Sequence, residues 1–542
     1  MPKESELSKI SQEIASQYIK TIVLLDDEAF QPKTTIPIPN GKQSYVDSND
    51  LDYSIDIKEI SAEFLKDNKI FAAYNPKKES DINDFKKAAE RADVVILDWN
   101  IKIEPDKQSD PNADADIDDP RGSFTIELIK KLINSNVRLI IVYTGDTGIK
   151  AVISKQILNE VKDLALDGDV DLVTKEHDTK ILVRAKPQSN SKEDSKYRIE
   201  YKDLPNTIKK EYAKMSEGIL PNFTLMALSR IGHLSKYILK IFSKESDIGY
   251  LSHKMLIPYI DDAEDLLLSI FGESIASALE DSDIKELFRN KIIKARLADF
   301  NSGRCAIKEE IKCPNKNKKT CPNNKIEFDV KYEDILKLFD RENAGISSRI
   351  KALNNIQINN IKYIERNLHQ LILIFGNDSD ISCKHFSKIT QHKFQYSDRE
   401  HVLTLGTILK KNIENKEIYY LCIQPKCDSV RIRKDDTKKF IFLELGNNGT
   451  GIPIILPNLN TLRCQKSFNL ESFSFKQKHE NGVIISYNEG ERHFYETTKK
   501  EKLEWIGQLK DMNAQRIVDA YSANLTRIGI DDSEWFRLKN KI

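Results

Sequence analysis

The run ADVVILDWN, residues 92–100, carries apolar β-formers straight into the carboxylate of Asp98. Three other runs stop on reactive side chains. TIVLLDD (21–27) ends on Asp26 and Asp27, with Glu28 next; VRLIIVYTGD (137–146) reaches Thr144 and Gly145; DVDLVTKE (169–176) reaches Lys175. A single aspartate at a strand end is ordinary, so the weight falls on the set. Three carboxylates crowded together either shift their pKa values or hold a cation. A few oxygen ligands with room for water suit Mg²⁺. One carboxylate can then attack phosphorus and become an aspartyl phosphate, while an ammonium and the cation neutralise the transferring group. The Thr144 hydroxyl can bond a phosphate oxygen, for which Gly145 leaves space. The bland alternative is a parallel α/β domain with acids at its rim.

For these residues to meet, the runs must lie side by side. Between them stand EISAEFLKD (59–67), the short strand KIFAAY (69–74), DINDFKKAAERA (81–92) with an acidic start, and SFTIELIKKLINSN (123–136) behind a Ser cap. Strands alternating with amphipathic helices predict βαβ units and a doubly wound, five-stranded parallel sheet covered on both faces. In such a sheet the chemistry collects at the carboxyl ends of the strands.

Residues 18–190 resemble the receiver domain of bacterial response regulators. LLDDE, VVILDWN, IIVYTG and LVTKE carry the resemblance, in that order on successive strands. The resemblance implies that Asp98 accepts a phosphoryl group. It implies that Asp26, Asp27 and Asp98 hold Mg²⁺, with the Asn100 backbone carbonyl as a further ligand, and that Lys175 and Thr144 contact the phosphoryl group. It also implies a histidine kinase or GHKL-type ATPase as partner, and no enzymatic activity beyond phosphorylation and phosphate loss at Asp98. The sequence departs from the family in several places. Residues 31–56 form an insertion and 101–120 a lengthened loop. Glu176 follows Lys175 where the family places proline, and Leu172 stands where it often places an aromatic. A receiver fold used only for docking, without phosphorylation, is the alternative.

The remaining residues carry weaker signals. We read domains at 1–195, a helical region at 196–300, a Cys-containing loop and helical region at 301–400, a β-rich domain at 401–500 in a small barrel or curled sheet, and terminal helices at 501–542. Cys305, Cys313 and Cys321 could hold zinc with a distant fourth ligand, but their spacing is wider than zinc pairs usually show, and a loop of free thiols is the favoured reading. Cys427, Asp428 and Arg431 sit together in LCIQPKCDSVRIR as a weak effector site. The spacing forces no histidine base on Cys427, and an Asp–Arg pair closing a turn is favoured. His233 and His253 fall on helical stretches, where a packed or surface histidine is the ordinary reading.

Lys+Arg and Asp+Glu both number 84, so no net charge draws nucleic acid or anionic lipid. A nucleic-acid role for the carboxyl half stays open through its basic stretches, although no helix-turn-helix is legible. No apolar run reaches membrane-spanning length. Seven cysteines in a chain without a secretory leader point to a reduced, cytoplasmic protein. A homodimer is compatible with all of this.

Overall fold

The computed structural model describes residues 4–30, 55–103, 121–133, 137–175, 178–187, 189, 192–257, 262–280, 282, 284–300, 306–312, 325–331, 339, 379–394, 399–414, 416–448, 451–464, 469–490 and 492–525. The chain divides into two compact units, 1–308 with 329–355 and 309–328 with 356–542.

The first unit is built on a mostly parallel sheet of seven strands. β1 (Thr21–Leu25), β2 (Ile70–Tyr74), β3 (Val94–Leu97) and β4 (Arg138–Thr144) pair in parallel, in the order β2-β1-β3-β4. β5 (Leu164–Asp167) and β6 (Asp171–Thr174) form an antiparallel hairpin, and β7 (Thr179–Ala185) lies between that hairpin and β4. The sequence reading of a five-stranded sheet therefore needs a correction. The run at 169–176 is a hairpin strand, and the fifth parallel strand is TKILVRA, residues 179–185. The burial of the two strands explains the difference. β6 is buried only at alternate residues, as suits an antiparallel edge element, whereas β7 is buried at every residue but Arg184.

Alternate strand residues face two cores. Ile22, Leu24, Val94, Ile96, Leu139 and Ile141 face α1 (Glu6–Tyr18), α2 (Ile57–Lys66), α6 (Leu204–Met215) and α7 (Ile219–Ile241). Val23, Leu25, Val95, Leu97, Ile140 and Val142 face α3 (Glu79–Ala89), α4 (Ser123–Leu132) and α5 (Ser154–Glu160). The helices begin where side chains satisfy open backbone donors: Ser5 accepts the Ser8 N–H at 3.1 Å and Asp56 the Glu59 N–H at 2.9 Å. Gly122, in the left-handed region at φ 88°, caps α4 in place of the expected Ser123. The helical region does not start afresh at residue 196. Tyr201, Leu204, Ile208 and Tyr212 join the same core as β1, β3 and β4, and the Tyr143 hydroxyl donates to the Ile199 carbonyl at 2.7 Å. Helices α8 (Asp247–Leu256) and α9 (Asp262–Glu280) follow.

Two strands, β8 (Ala306–Lys312) and β9 (Lys325–Lys331), pair within the Cys-containing stretch. Cys305, Cys313 and Cys321 lie outside the described residues.

The second unit holds an antiparallel sheet of nine strands: β10 (Thr407–Ile413), β11 (Lys416–Cys422), β12 (Thr437–Gly446), β13 (Ile454–Ile455), β14 (Thr461–Cys464), β15 (Leu470–Lys476), β16 (Tyr487–Glu489), β17 (Arg492–Glu496) and β18 (Lys502–Gln508). Its order is β13-β14-β12-β11-β10-β18-β17-β16, with β15 on β12. Phe475 of β15 nonetheless meets Tyr495 of β17, with ring centroids 6.2 Å apart, so the sheet curls around an aromatic core. The expectation of helix from residue 501 is corrected: KLEWIGQ is β18, between β10 and β17, and the helix is Asp511–Leu525. Among the described residues no helix is long and apolar enough to cross a membrane.

Candidate functional site

The carboxyl ends of the parallel strands meet as a cluster of charge. Asp98 donates its backbone N–H to the Leu25 carbonyl at 2.9 Å, and Asp26 donates its own to Tyr74 at 3.1 Å, so the strand ladder itself carries both acids to one edge. Asp26, Asp27 and Asp98 each offer an oxygen, all within 4.8 Å of one another. Asp26 and Asp98 are buried and Asp27 is half-buried. Asn100, two residues beyond Asp98, is half-buried.

Among the described residues, the ammonium that pairs with Asp26 and Asp98 is that of Lys186. Its Nζ lies 2.8 Å from Asp26 Oδ2 and 3.2 Å from Asp98 Oδ1, on a side chain only 2% exposed. Lys186 directly follows β7, and its backbone N–H donates to the Thr144 carbonyl at 2.8 Å. Burial works against its charge, but Asp98 and Asp26 outweigh burial and hold it protonated above its ordinary range. Asp98 goes the other way. Burial pushes its carboxyl up to about 7, helped by Asp26 and Asp27, and the pull of Lys186 does not offset them. Burial also raises Asp27, against the Lys102 backbone N–H that its Oδ2 accepts at 3.2 Å, and raises Glu28.

Lys175 is not part of this cluster. β6 runs antiparallel to β7, with Leu172 beside Ile181 and Val173 beside Lys180, so its end emerges at the amino edge of the parallel strands. There the Lys175 Nζ, 70% exposed, pairs with Asp163 at 2.6 Å. The ammonium at the carboxyl edge is therefore that of Lys186 and not Lys175, and the sequence distinguishes the two, because Lys186 is followed by Pro187 and Lys175 is not. Thr144 lies buried at the end of β4. Its hydroxyl oxygen accepts the Asp146 N–H at 3.0 Å, which leaves its own proton to donate.

Trp99, Thr125 and Gly122 fix the loop that follows Asp98 and were not singled out for this by sequence. The Thr125 hydroxyl donates to the Asp98 carbonyl at 2.6 Å. The buried indole of Trp99 fills the space above Gly122, where a Cβ would fall 2.2 Å from Cζ2.

The cluster fits a divalent cation. Three carboxylates face one ammonium, and the buried Asp98 Oδ1, despite its ion pair, completes no hydrogen bond.

The other candidates stand apart from this chemistry. Cys427 is exposed on a short turn, its sulfur 3.9 Å from Asp428 Oδ1, while Asp428 accepts from Gln424 at 3.2 Å. Arg431 is exposed with φ at 62°. The candidate bases for Cys427 are His385, His392, His401 and His493; His385 is exposed on the helix Ser379–Gln391, and the other three are engaged elsewhere. His392 Nε2 lies 2.7 Å from the Ile455 carbonyl, and His401 stacks on Trp505 at 3.8 Å with His493 against it at 4.4 Å. His233 and His253 are exposed on α7 and α8.

Residues 18–191, about a third of the chain, match the family model of the response receiver domain. No curated protein matches the chain. No solved structure matches it either.

Proposed function

We propose that the first unit is a phosphorylation-responsive switch in which Asp98 accepts a phosphoryl group from a partner histidine kinase or GHKL-type ATPase. The observation that carries this reading is the buried meeting of Asp26, Asp27 and Asp98 with Lys186 Nζ, on a stretch that matches the receiver family. A carboxylate oxygen of Asp98 attacks the phosphorus of a phosphohistidine; the O–P bond forms as the P–N bond breaks, and the imidazole leaves. Lys186, held protonated by its two acids, turns to the arriving phosphoryl oxygens. The Thr144 hydroxyl donates to the same group, and Thr125 and Trp99 hold the Asp98 backbone still. Asp26, Asp27, Asp98 and the Asn100 carbonyl would hold Mg²⁺, which would neutralise charge at those oxygens. Water later attacks phosphorus, restoring the carboxylate and releasing inorganic phosphate.

The route out of the site starts at Thr144. Three residues before Lys186 stands Val183, so no aromatic ring swings with the threonine here. Asp194, buried on the segment after Lys186, instead accepts the Gly148 and Ile149 N–H groups at 2.8 and 3.1 Å. A Thr144 loop drawn toward the phosphoryl group pulls on this clasp, and through it on the segment leading into α6. What the second unit does with that signal is the output of the switch.

The test is BeF₃⁻ binding with Mg²⁺, and phosphorylation by acetyl phosphate, in the wild type and single variants. Asp98→Asn abolishes both. Lys186→Ala lowers the phosphorylation rate by about 100-fold, the usual effect of removing one charge-stabilising donor, while Lys175→Ala leaves it unchanged. If Asp98→Asn responds like the wild type, the fold serves docking alone and the phosphoryl reading fails.

A further inference from the structure

The second unit buries two histidines against each other. His401, 7% exposed, precedes β10, and His493, 3% exposed, lies on β17. Their ring centroids are 4.4 Å apart, and the His401 ring stacks on the Trp505 indole of β18 at 3.8 Å. His401 Nε2 and Trp505 Nε1 are both buried and complete no hydrogen bond among the described residues. The backbone of the same segment closes the curled sheet. The His401 N–H donates to Ser486 Oγ at 2.8 Å, and the His401 carbonyl accepts the Ser486 N–H at 2.9 Å and the Tyr495 hydroxyl at 2.7 Å. The Leu403 N–H donates to the Ile484 carbonyl at 2.8 Å. Residues 401–403 are thereby tied to 484–486, the stretch that leads into the β16–β17 hairpin.

We infer that this contact is an acid-sensitive switch, in which protonation of His401 parts residues 401–403 from 484–486 and opens the aromatic core behind them. An imidazolium needs an acceptor for each of its two N–H groups, or water in its place. His401 Nε2 has no such acceptor. No charged group compensates from the elements packed on the ring. β17 presents His493 and Tyr495, β18 presents Trp505, β10 sets Leu409 across from Trp505, and the 484–486 stretch presents Ser486. Arg492, Lys502 and Glu504 line a groove on the other face of these strands, and Arg399 and Glu400, on the segment before His401, are exposed. Burial and then His493 hold the His401 pKa down, at about 4 against an ordinary 6.5, and outweigh the attraction of the indole face for a cation. Above pH 6.5 the closed and open segments are both neutral, and closure is complete. As pH falls from 6.5 toward about 4, the open form takes a proton that the closed form refuses. Closure therefore weakens by up to about ten-fold per pH unit in that window. The inference is independent of phosphorylation at Asp98.

Hydrogen exchange of the full chain, read by mass spectrometry from about pH 7.5 to about pH 5 and corrected for the intrinsic rate at each pH, tests it. Peptides covering 401–409 and 484–496 are expected to lose protection by up to about ten-fold per pH unit once the pH is below the ordinary imidazole range, whereas β12 keeps its own. Neutralisation is expected to restore the protection. His401→Phe keeps a ring on Trp505 without a titratable group, and His401→Gln serves where the larger ring does not fold. Each is expected to remove the pH dependence. Unchanged protection in the wild type down to about pH 5 overturns the inference. So does a pH dependence that persists in a folded His401 variant. Equal loss in β12, or protection that does not return on neutralisation, is acid denaturation of the unit and overturns it as well.

Discussion

Burying Asp98 beside two more carboxylates costs the fold free energy that one lysine does not return. The pH dependence of stability exposes this cost. The carboxyl's folded-state pKa, pushed up to about 7, lies above its ordinary value of 3.8 in the unfolded chain. Between those values the folded protein holds the extra proton, so stability falls as pH rises through the window. Asp98→Asn removes the titrating group. Without metal, the variant is expected to be more stable than the wild type by on the order of a few kcal/mol at slightly alkaline pH, with the gain shrinking as pH falls toward 4. Urea denaturation in a chelator across that range measures it. A gain that does not change with pH would show that the carboxyl is not held protonated by its surroundings. Mg²⁺ should recover part of the difference in the wild type alone, because only the wild type keeps all three carboxylates.

At the scale of elements, the placement of Asp98 depends on how β3 is joined to α4. Gly122 takes φ 88° to start the helix, and Trp99 occupies the space a side chain would need. Gly122→Ala combines a strained backbone with a clash against a buried ring, and is expected to cost about 2–4 kcal/mol, read as a lower denaturation midpoint. It should also lower BeF₃⁻ affinity, because Trp99 is covalently next to Asp98. The same scale shows why some of the site was legible in sequence and some was not. Asp26, Asp27, Asp98 and Thr144 each end an uninterrupted apolar run, the mark of a strand buried on both faces, and the structure puts them at one edge. Two consecutive runs competed for the fifth strand, and both end in threonine or alanine followed by lysine. Local pattern does not say which run pairs in parallel with β4. That is decided by the hairpin: β5 and β6 pair with each other over Leu164–Thr174 and occupy the sheet's outer edge, leaving β7 for the interior. β18 was misread for a related reason. KLEWIGQ alternates weakly and runs into a true helix, so its period merged with that of Asp511–Leu525, whereas its place between β10 and β17 is set by pairing partners far away in sequence.

At the scale of the whole molecule, the match to the receiver family stops at residue 191, but the hydrophobic core does not. On the face that carries Ile22, Leu24, Val94 and Ile96, the covering side chains come from α1, α2, α6 and α7, and the last two lie beyond the match. Lys180 of β7, nearly buried, pairs with Glu211 of α6 at 2.9 Å, and Asn222 of α7 donates to Ser11 of α1 at 2.9 Å, so polar groups as well as apolar ones are satisfied across that boundary. A chain ending at residue 191 would expose Leu7, Ile10, Leu139 and Ile141 to water and leave Lys180 without Glu211. Each apolar side chain uncovered costs about 1.5–3 kcal/mol, and a few of them together match the whole stability of a domain, about 5–15 kcal/mol. The shorter chain is therefore expected to aggregate or to melt without a cooperative transition, whereas a chain ending at residue 300 keeps α6, α7 and the partners Ile292 and Ala295 and should unfold cooperatively. Thermal denaturation of the two fragments distinguishes the outcomes. A cooperatively folded fragment ending at 191 would show that the later helices are merely docked on a self-sufficient receiver. If the longer fragment alone folds, the receiver-like sheet and helices α6 and α7 are one folding unit, and the proposed change at Asp98 would reach α6 and α7 through one continuous core.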